Sequence, residues 1–417
     1  MRYEFPANMT LEEVRGVISR HNERTGAKAF IEADRGDHVI FNYVVAFDGS
    51  FPSPTTGTDL DREYAILREC RGLTFHKDGR ILTRKFAKFF NVNEKPETQA
   101  SVIDWSQPHV VLEKLDGSMI TPLWLGDPED INAEELRWCT KMGMTDVAKP
   151  VEEFVRNNPH YARWAAMTVY SGYTPIFEWC SRQQKIVVDY PEDRLVLIAI
   201  RDNATGLYLS YDRMLAAEAS QIEVVRALEG SVENIEQFMA EAKDLEGAEG
   251  YIIRFEDGHM VKVKGAWYVQ IHKTKDILQH EKDVLRLIFE DRIDDAKGFM
   301  DAEDRERVER YEKALAQAID RKANDLMVLA NDLKGWGEMT KKEFVEKVRS
   351  INTADHEQGI LFRLFDAGIN REVAAATIRS IISKHISTGP RVESIRHLMG
   401  GLDWNDYRDR NAAVGDD

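Results

Sequence analysis

The sequence predicts an α+β protein in two parts. Residues 1–276 read as antiparallel β-sheets flanked by helices, and residues 277–417 as an all-α part. Three observations carry this. Short apolar runs bounded by turn residues recur from about residue 38 to residue 264, the pattern of strands. Asp78-Gly79, inside "HKDGR", joins two such runs as a hairpin turn. After residue 276 the spacing changes. Val308, Tyr311, Leu315, Ile319, Leu326, Leu329 and Leu333 form one apolar face of a long amphipathic helix.

The elements follow in order. Residues 10–25 read as a helix with Thr10 as N-cap and Glu13 placed to complete a capping box. Strands are expected in "HVIFNYVVAF" (38–47), "RGLTFHKDGRILTRKF" (71–86) and "HVVLEKLDGSMITPLWL" (109–125). A helix is expected over 150–170. Strands resume in "TPIFEWC" (174–180), "KIVVDY" (185–190), "RLVLIAIRD" (194–202) and "LYLSY" (207–211). A helical stretch over 211–245 precedes a last strand pair, "EGYIIRF" (249–255) and "HMVKVKG" (259–265). In the second part Gly335 and Gly337 end the long helix. Thr340 with Glu343 forms a capping box, and Asn370 caps "REVAAATIRSIISKHI". The tail past 410 reads as frayed and acidic. No internal repeat or low-complexity segment is present.

Composition narrows the function. Hydrophobic residues make up 43% and charged residues 31%, as in ordinary globular proteins. No apolar run approaches the roughly 20 residues of a membrane span. The start, "MRYEFPANMTLEEV", has no apolar signal core, so a cytoplasmic location is expected, the host's if the protein is viral. Cys70, Cys139 and Cys180 are too scattered for a disulfide framework or a zinc site. The net charge of −16 argues against bulk nucleic-acid binding. Two local basic clusters, Arg80, Arg84, Lys85 and Lys88, then Lys262, Lys264, Lys273 and Lys275, are interleaved with Phe86, Phe89, Phe90, Trp267 and Tyr268. They can line a basic cleft on an acidic body. Solvated lysines on two amphipathic strands would look the same.

The densest chemistry lies in Glu113-Lys114-Leu115-Asp116-Gly117-Ser118, between two apolar stretches. This holds a lysine at a strand end, with Gly117 letting the backbone bend and approach a ligand. A lysine is a nucleophile only when neutral, and nearby cations favour the neutral form. Glu178, inside an apolar strand, is costly to bury without partners. Lys262 and Lys264 alternate with Val261 and Val263, so both lysines share a strand face. Their mutual repulsion is relieved by an anion beside them. Each motif alone is weak, and a lone Lys-x-Asp-Gly is ordinary turn chemistry.

Taken in order, "ECRG" (69–72), "RKFAKFFNVNE" (84–94), Lys114 to Ser118, "FEWC" (177–180), "EGAEGYIIRF" (246–255) and "VKVKGAWY" (261–268) resemble the motifs of covalent nucleotidyltransferases, the ATP-dependent ligases and mRNA capping enzymes. The upstream motifs and "KVKGAWYVQIHKTK" are similar to the T-even phage RNA ligase 1 family of tRNA-repair ligases, over roughly Phe41 to Lys275. The resemblance implies that residues 1–276 form a nucleotidyltransferase domain using ATP and Mg²⁺ or Mn²⁺. Lys114 is then the nucleophile at the α-phosphorus, with Lys262 and Lys264 beside the α-phosphate. Glu178 binds the ribose, and Glu249 faces the nucleotide and its metal. Glu246-Gly247 is a competing register, set aside because "EGYIIRF" runs directly into a strand. Arg71, Lys88, Tyr43 and Phe90 match nucleotide and phosphate positions, and Lys141 aligns approximately. His272 has no assigned role.

The activity implied is ATP-dependent joining of a 5′-phosphate to a 3′-hydroxyl of RNA, through a lysyl-AMP and an adenylylated 5′ end. The expected partners are single-stranded RNA or cleaved tRNA ends, with functional coupling to an end-healing kinase or phosphatase and a monomeric enzyme. The all-α part, 277–417, would select the RNA. One alternative is a minimal DNA ligase or capping-type transferase, but many of these carry a small β-barrel where helices follow here. The other is an inactive nucleic-acid-binding relative, against which the joint presence of Lys114, Glu178, Glu249, Lys262 and Lys264 argues.

Overall fold

The computed structural model describes residues 3–44, 49–184 and 186–407. The chain divides into two compact units, one up to Val269 and one from Gln270.

The first unit starts with α1 (Leu11–Thr25). Thr10 caps it, its hydroxyl accepting the Glu13 N–H at 3.2 Å. The Glu13 carboxylate goes instead to the Arg62 guanidinium, at 2.7 and 3.0 Å. Leu11, Val14, Val17 and Ile18 form the buried stripe of α1. Next come β1 (Phe30–Asp34), β2 (His38–Tyr43), α2 (Asp61–Glu69), β3 (Arg71–His76) and β4 (Ile81–Thr83). They give an antiparallel sheet in the order β1-β2-β3-β4. The Asp78-Gly79 turn joins β3 to β4, with the His76 N–H donating to the Arg80 carbonyl at 2.9 Å. Residues 45–47 of the strand expected there lie outside the described residues.

Two further antiparallel sheets carry the chemistry. Their elements are β5 (His109–Lys114), β6 (Ser118–Leu123), β7 (Arg137–Cys139), α3 (Ala148–Asn157), α4 (Pro159–Tyr170), β8 (Tyr173–Cys180), β9 (Arg194–Asp202), α5 (Tyr211–Leu215), α6 (Ile235–Lys243), β10 (Gly250–Phe255) and β11 (Met260–Lys264). One sheet runs β11-β10-β5 and the other β7-β6-β8-β9. The three residues Leu115 to Gly117 therefore carry the chain from one sheet into the next.

Four expectations change. The helix over 150–170 is two helices, because Pro159 has no N–H to continue the α3 ladder and opens α4 instead. Residues 186–190 of "KIVVDY" form no strand, and Lys185 lies outside the described residues. The Val187 and Val188 amides bond to the Asp116 carboxylate, so they are unavailable to a ladder. The stretch 211–245 is broken: α5, a 3₁₀ turn at Ala216–Ser220, extended backbone bridging Leu197 to Val224 and Leu112 to Ala227, then α6 capped by Asn234. "LYLSY" makes a single bridge, Arg201 to Tyr208.

The division between the units falls inside α7 (Ala266–Leu278). The second unit continues with α8 (Glu281–Phe289), α9 (Ile293–Lys297), α10 (Ala302–Lys334), α11 (Lys341–Ser350), α12 (Asp355–Ala367), α13 (Arg371–His385) and α14 (Gly389–Ser394). No strand occurs there among the described residues. Val308, Tyr311, Leu315, Ile319 and Leu326 are the buried stripe of α10, and Leu329 and Leu333 pack against the same core. Gly335 caps it at φ 64°. Thr340 and Glu343 form a reciprocal capping box on α11, and Asn370 caps α13. The tail past 407 lies outside the described residues.

Candidate active site

Strand register assembles the first cluster. Lys114, the last residue of β5, stands opposite Gly250 of β10, which stands opposite Lys264 of β11. Two positions back, Leu112, Ile252 and Lys262 form the next row. Side chains alternate along strands, so Lys114, Lys262 and Lys264 share one face. Gly250 is the gap in the row. Its φ is 144°, and a Cβ there would meet the Val263 carbonyl oxygen at 2.1 Å. The lysines on either side converge on the preceding residue: Glu249 Oε1 is 2.5 Å from Lys114 Nζ and 3.3 Å from Lys264 Nζ. Glu249 is 2% exposed. Both contacts on that oxygen are ion pairs with lysines.

Gly117 brings a second carboxyl close. An added Cβ there would lie 2.3 Å from the Trp179 carbonyl oxygen and 3.1 Å from Glu178 Cγ. The glycine thus serves close contact with β8, whereas the sequence pointed to close contact with a ligand. Glu178 keeps some exposure at one edge but is otherwise enclosed by protein. Burial pushes its carboxyl up to about 8, Lys114 opposes this, and the neighbouring Glu249 adds to it. Burial also pulls the Lys262 ammonium well below its ordinary value, and the charges of Lys114, Arg71, Lys88 and Lys264 act in the same direction. Lys262 Nζ lies 5.1 Å from the Phe89 ring centroid, and Lys264 Nζ 5.5 Å from that of Tyr268.

A second cluster gathers at the ends of β2 and β3. Lys88 Nζ and Lys141 Nζ lie 5.2 and 5.4 Å from the Tyr43 ring centroid. Burial would raise the Tyr43 phenol, yet Arg71, Lys88 and Lys141 together hold it below its usual value. The Lys88 ammonium is itself lowered by burial. The Lys141 backbone packs directly on Gly72, beside Arg71. Phe90 packs into the core of the first unit, 6.0 Å from Phe51 between ring centroids. Its carbonyl accepts the Lys262 N–H at 3.0 Å. The fields of Arg71 and Lys88 reach Lys262, and that of Arg71 reaches Glu178, so the two clusters act on one another. Six cationic side chains against two carboxyls make a surround suited to a polyphosphate anion.

The first basic segment needs correction. Arg84 is fully buried, donating to Glu69 at 3.0 Å and to the Pro6 carbonyl at 2.9 Å. Arg201 completes the triad, 2.7 Å from Glu69. Lys85 donates to the Gly72 carbonyl and the Thr83 hydroxyl. Arg80 pairs with Asp78 in the exposed turn. Only Lys88 of the four stands among the site residues. Lys273 and Lys275 belong to the second unit, where Lys275 pairs with Asp301 at 3.5 Å, and His272 pairs with Asp276 at 3.2 Å.

Asp116 reads in the sequence as turn chemistry, yet the fold buries it. It is 3% exposed and accepts three hydrogen bonds, from the Val187 and Val188 amides and the Tyr268 hydroxyl. Its place inside the lysine motif was the available signal.

Among the described residues no three His, Cys, Asp or Glu side chains gather as a metal site. Glu249 supplies one buried carboxylate, the oxygen donor a magnesium ion takes when it draws its other ligands from phosphate and water. Among the described residues no helix is long and apolar enough to cross a membrane.

This constellation is suited to an anionic ligand, and comparison with known proteins gives the chain a family. A family model described as RNA ligase matches residues 69–268. A protein of Thermovibrio ammonificans, provisionally named an RNA ligase, is 32% identical over 285 residues, covering 66% of this chain and 68% of that protein. RNA ligase 1 of bacteriophage TS2126 is 26% identical over 247 residues, covering 55% of this chain and 58% of the phage protein. Among solved structures, an archaeal ATP-dependent RNA ligase aligns with 94% of this chain and 98% of its own, at 14% identity and TM-score 0.42. A Naegleria gruberi RNA ligase aligns with 40% of this chain and 52% of its own, at 17% identity and TM-score 0.33. Likeness this distant adds no weight, and the assignment rests on the sequence relatives. The chain belongs to the RNA ligase family, of the T4 RNA ligase 1 type.

Proposed function

We propose that this RNA ligase seals RNA ends with ATP through a covalent AMP on Lys114. The observation that carries the reading is the row Lys114–Gly250–Lys264, which sets a candidate nucleophile and a second ammonium on one buried carboxylate, Glu249. In the first step the neutral Lys114 amine attacks the α-phosphorus of ATP. An N–P bond forms, the bond to the β-phosphate oxygen breaks, pyrophosphate leaves, and the lysine proton passes to solvent. Lys262 and Lys264 stabilise the charge gathering on the α-phosphate oxygens. Lys262, its charge already disfavoured by burial and by its cationic neighbours, gains most from an arriving anion. Glu178 binds the ribose hydroxyls. Arg71, Lys88, Tyr43 and Lys141 hold the β- and γ-phosphates. Glu249 would hold magnesium, or manganese, whose positive charge neutralises the phosphates when bound. AMP then passes to the RNA 5′-phosphate, and the 3′-hydroxyl displaces it.

The helical unit selects the RNA, favouring cleaved tRNA. Ends of this kind, 5′-phosphate and 3′-hydroxyl, call for a preceding kinase or phosphatase step. The test is incubation with labelled ATP and magnesium, then with single-stranded RNA, cleaved tRNA and nicked duplex DNA. The reading predicts a labelled protein and sealed RNA, with nicked DNA sealed least. A labelled protein that seals only nicked DNA would overturn the RNA assignment. A protein of residues 1–276 that still forms the adduct but loses its preference for cleaved tRNA would place selection in the helical unit.

A further inference from the structure

Lys114 closes β5, but the three residues after it, Leu115 to Gly117, lie between two sheets and neither ladder pairs them. Hydrogen bonds from two distant segments hold them instead. The Asp116 N–H donates to the Tyr190 hydroxyl at 2.9 Å. The Val187 and Val188 amides donate to one Asp116 oxygen at 2.7 and 2.6 Å, and the Tyr268 hydroxyl to the other at 2.7 Å. The Tyr190 hydroxyl and the Cys180 thiol lie close enough for each to act on the other's ionisation. Cys180 ends β8, two residues beyond Glu178. Tyr190 therefore bonds the backbone of the lysine turn and stands beside the end of the strand that carries Glu178. This explains why an apolar run that reads as a strand is not one: its polar groups are spent on the turn.

We propose that Tyr190 is a positioning residue for Lys114, acting through the Asp116 amide to hold the turn at a fixed distance from β8. This rests on Lys114 being the nucleophile. The tie matters when the lysine amine must meet phosphorus, because small displacements from an attack geometry are costly in rate. It does not matter when a 3′-hydroxyl attacks RNA whose 5′ end is already adenylylated, since Lys114 forms no bond there.

That asymmetry gives the test. Full-length Tyr190→Phe keeps the ring and removes the hydroxyl. The expected result is a fall of about tenfold in the rate of AMP-adduct formation at saturating ATP. KM for ATP and the sealing rate on chemically pre-adenylylated RNA should stay within about twofold of wild type. Cys180→Ala removes the thiol beside the Tyr190 hydroxyl and should show the same split more weakly. It also serves as the readout if Tyr190→Phe does not fold. Equal losses in both reactions would make the tie a general stabiliser and overturn the proposal. Unchanged adduct formation would also overturn it. A wild-type protein that forms no adduct at all, yet is folded, would instead sink the proposed function.

Discussion

Two basic segments of this chain look alike in sequence and behave differently in the fold. Arg80 to Phe90 and Val261 to Tyr268 both alternate cations with aromatics. In the first, the cations are mostly consumed by the fold. Arg84 and Arg201 share the Glu69 carboxylate out of contact with water, and Lys85 is capped by a carbonyl and a hydroxyl. In the second, Lys262 and Lys264 face the same way as Lys114, and one carboxylate, Glu249, lies between the two strand-end lysines. A strand repeat of two puts both lysines on one face, whereas the irregular backbone after β4 turns successive residues in different directions. Positive charge answered inside the fold supports structure. Positive charge left in excess favours an incoming anion.

Substitutions can break this contrast. The largest effect is expected from Arg84→Met. Removing one partner of a buried ion pair costs about 3 kcal/mol or more, and urea unfolding should show it. Adduct formation by the protein that remains folded should stay within a few-fold of wild type. A stable but inactive Arg84→Met would move that residue into the site and erase the contrast. Lys262→Ala and Lys264→Ala should do the reverse. Each should slow adduct formation by on the order of a hundredfold, with unfolding midpoints little changed. Near-normal rates in both would reduce β11 to an ordinary amphipathic edge.

A smaller, pH-dependent effect is expected at Glu178. Its carboxyl is pushed up to about 8 from an ordinary 4.5. Between these values the folded protein holds a proton that the unfolded chain has released. The associated stability is therefore complete below pH 4.5 and is lost as pH rises through about 8. Glu178→Gln lacks this slope, so its unfolding midpoint should gain on wild type as pH rises. Parallel midpoint profiles would contradict the enclosed environment. Arg80→Ala is the smallest case. It removes an exposed pair with Asp78, and neither stability nor adduct formation should change beyond about 0.5 kcal/mol or twofold.

The parts of the fold that could be read from sequence were those set by neighbours along the chain. The Thr340–Glu343 box, the Asn370 cap, the Asp78-Gly79 turn and the α10 stripe depend on spacings of a few residues. The pairing of Lys262 and Lys264 on one face follows from the same local periodicity. Register between distant strands does not, so the row joining Lys114, Gly250 and Lys264 appeared only in the fold. The apolar run at 186–190 misled because a side chain about seventy positions away takes its amides. Arg84 misled because its partners, Glu69 and the Pro6 carbonyl, carry no sequence mark linking them to it.

The central claim is that Lys114 is the nucleophile. The most direct test is to incubate the protein with ATP and magnesium, digest it, and locate the AMP by mass spectrometry. The account predicts AMP on Lys114 and no adduct in Lys114→Ala. AMP on Lys262, Lys264 or another residue, or an adduct of undiminished yield in Lys114→Ala, would contradict it.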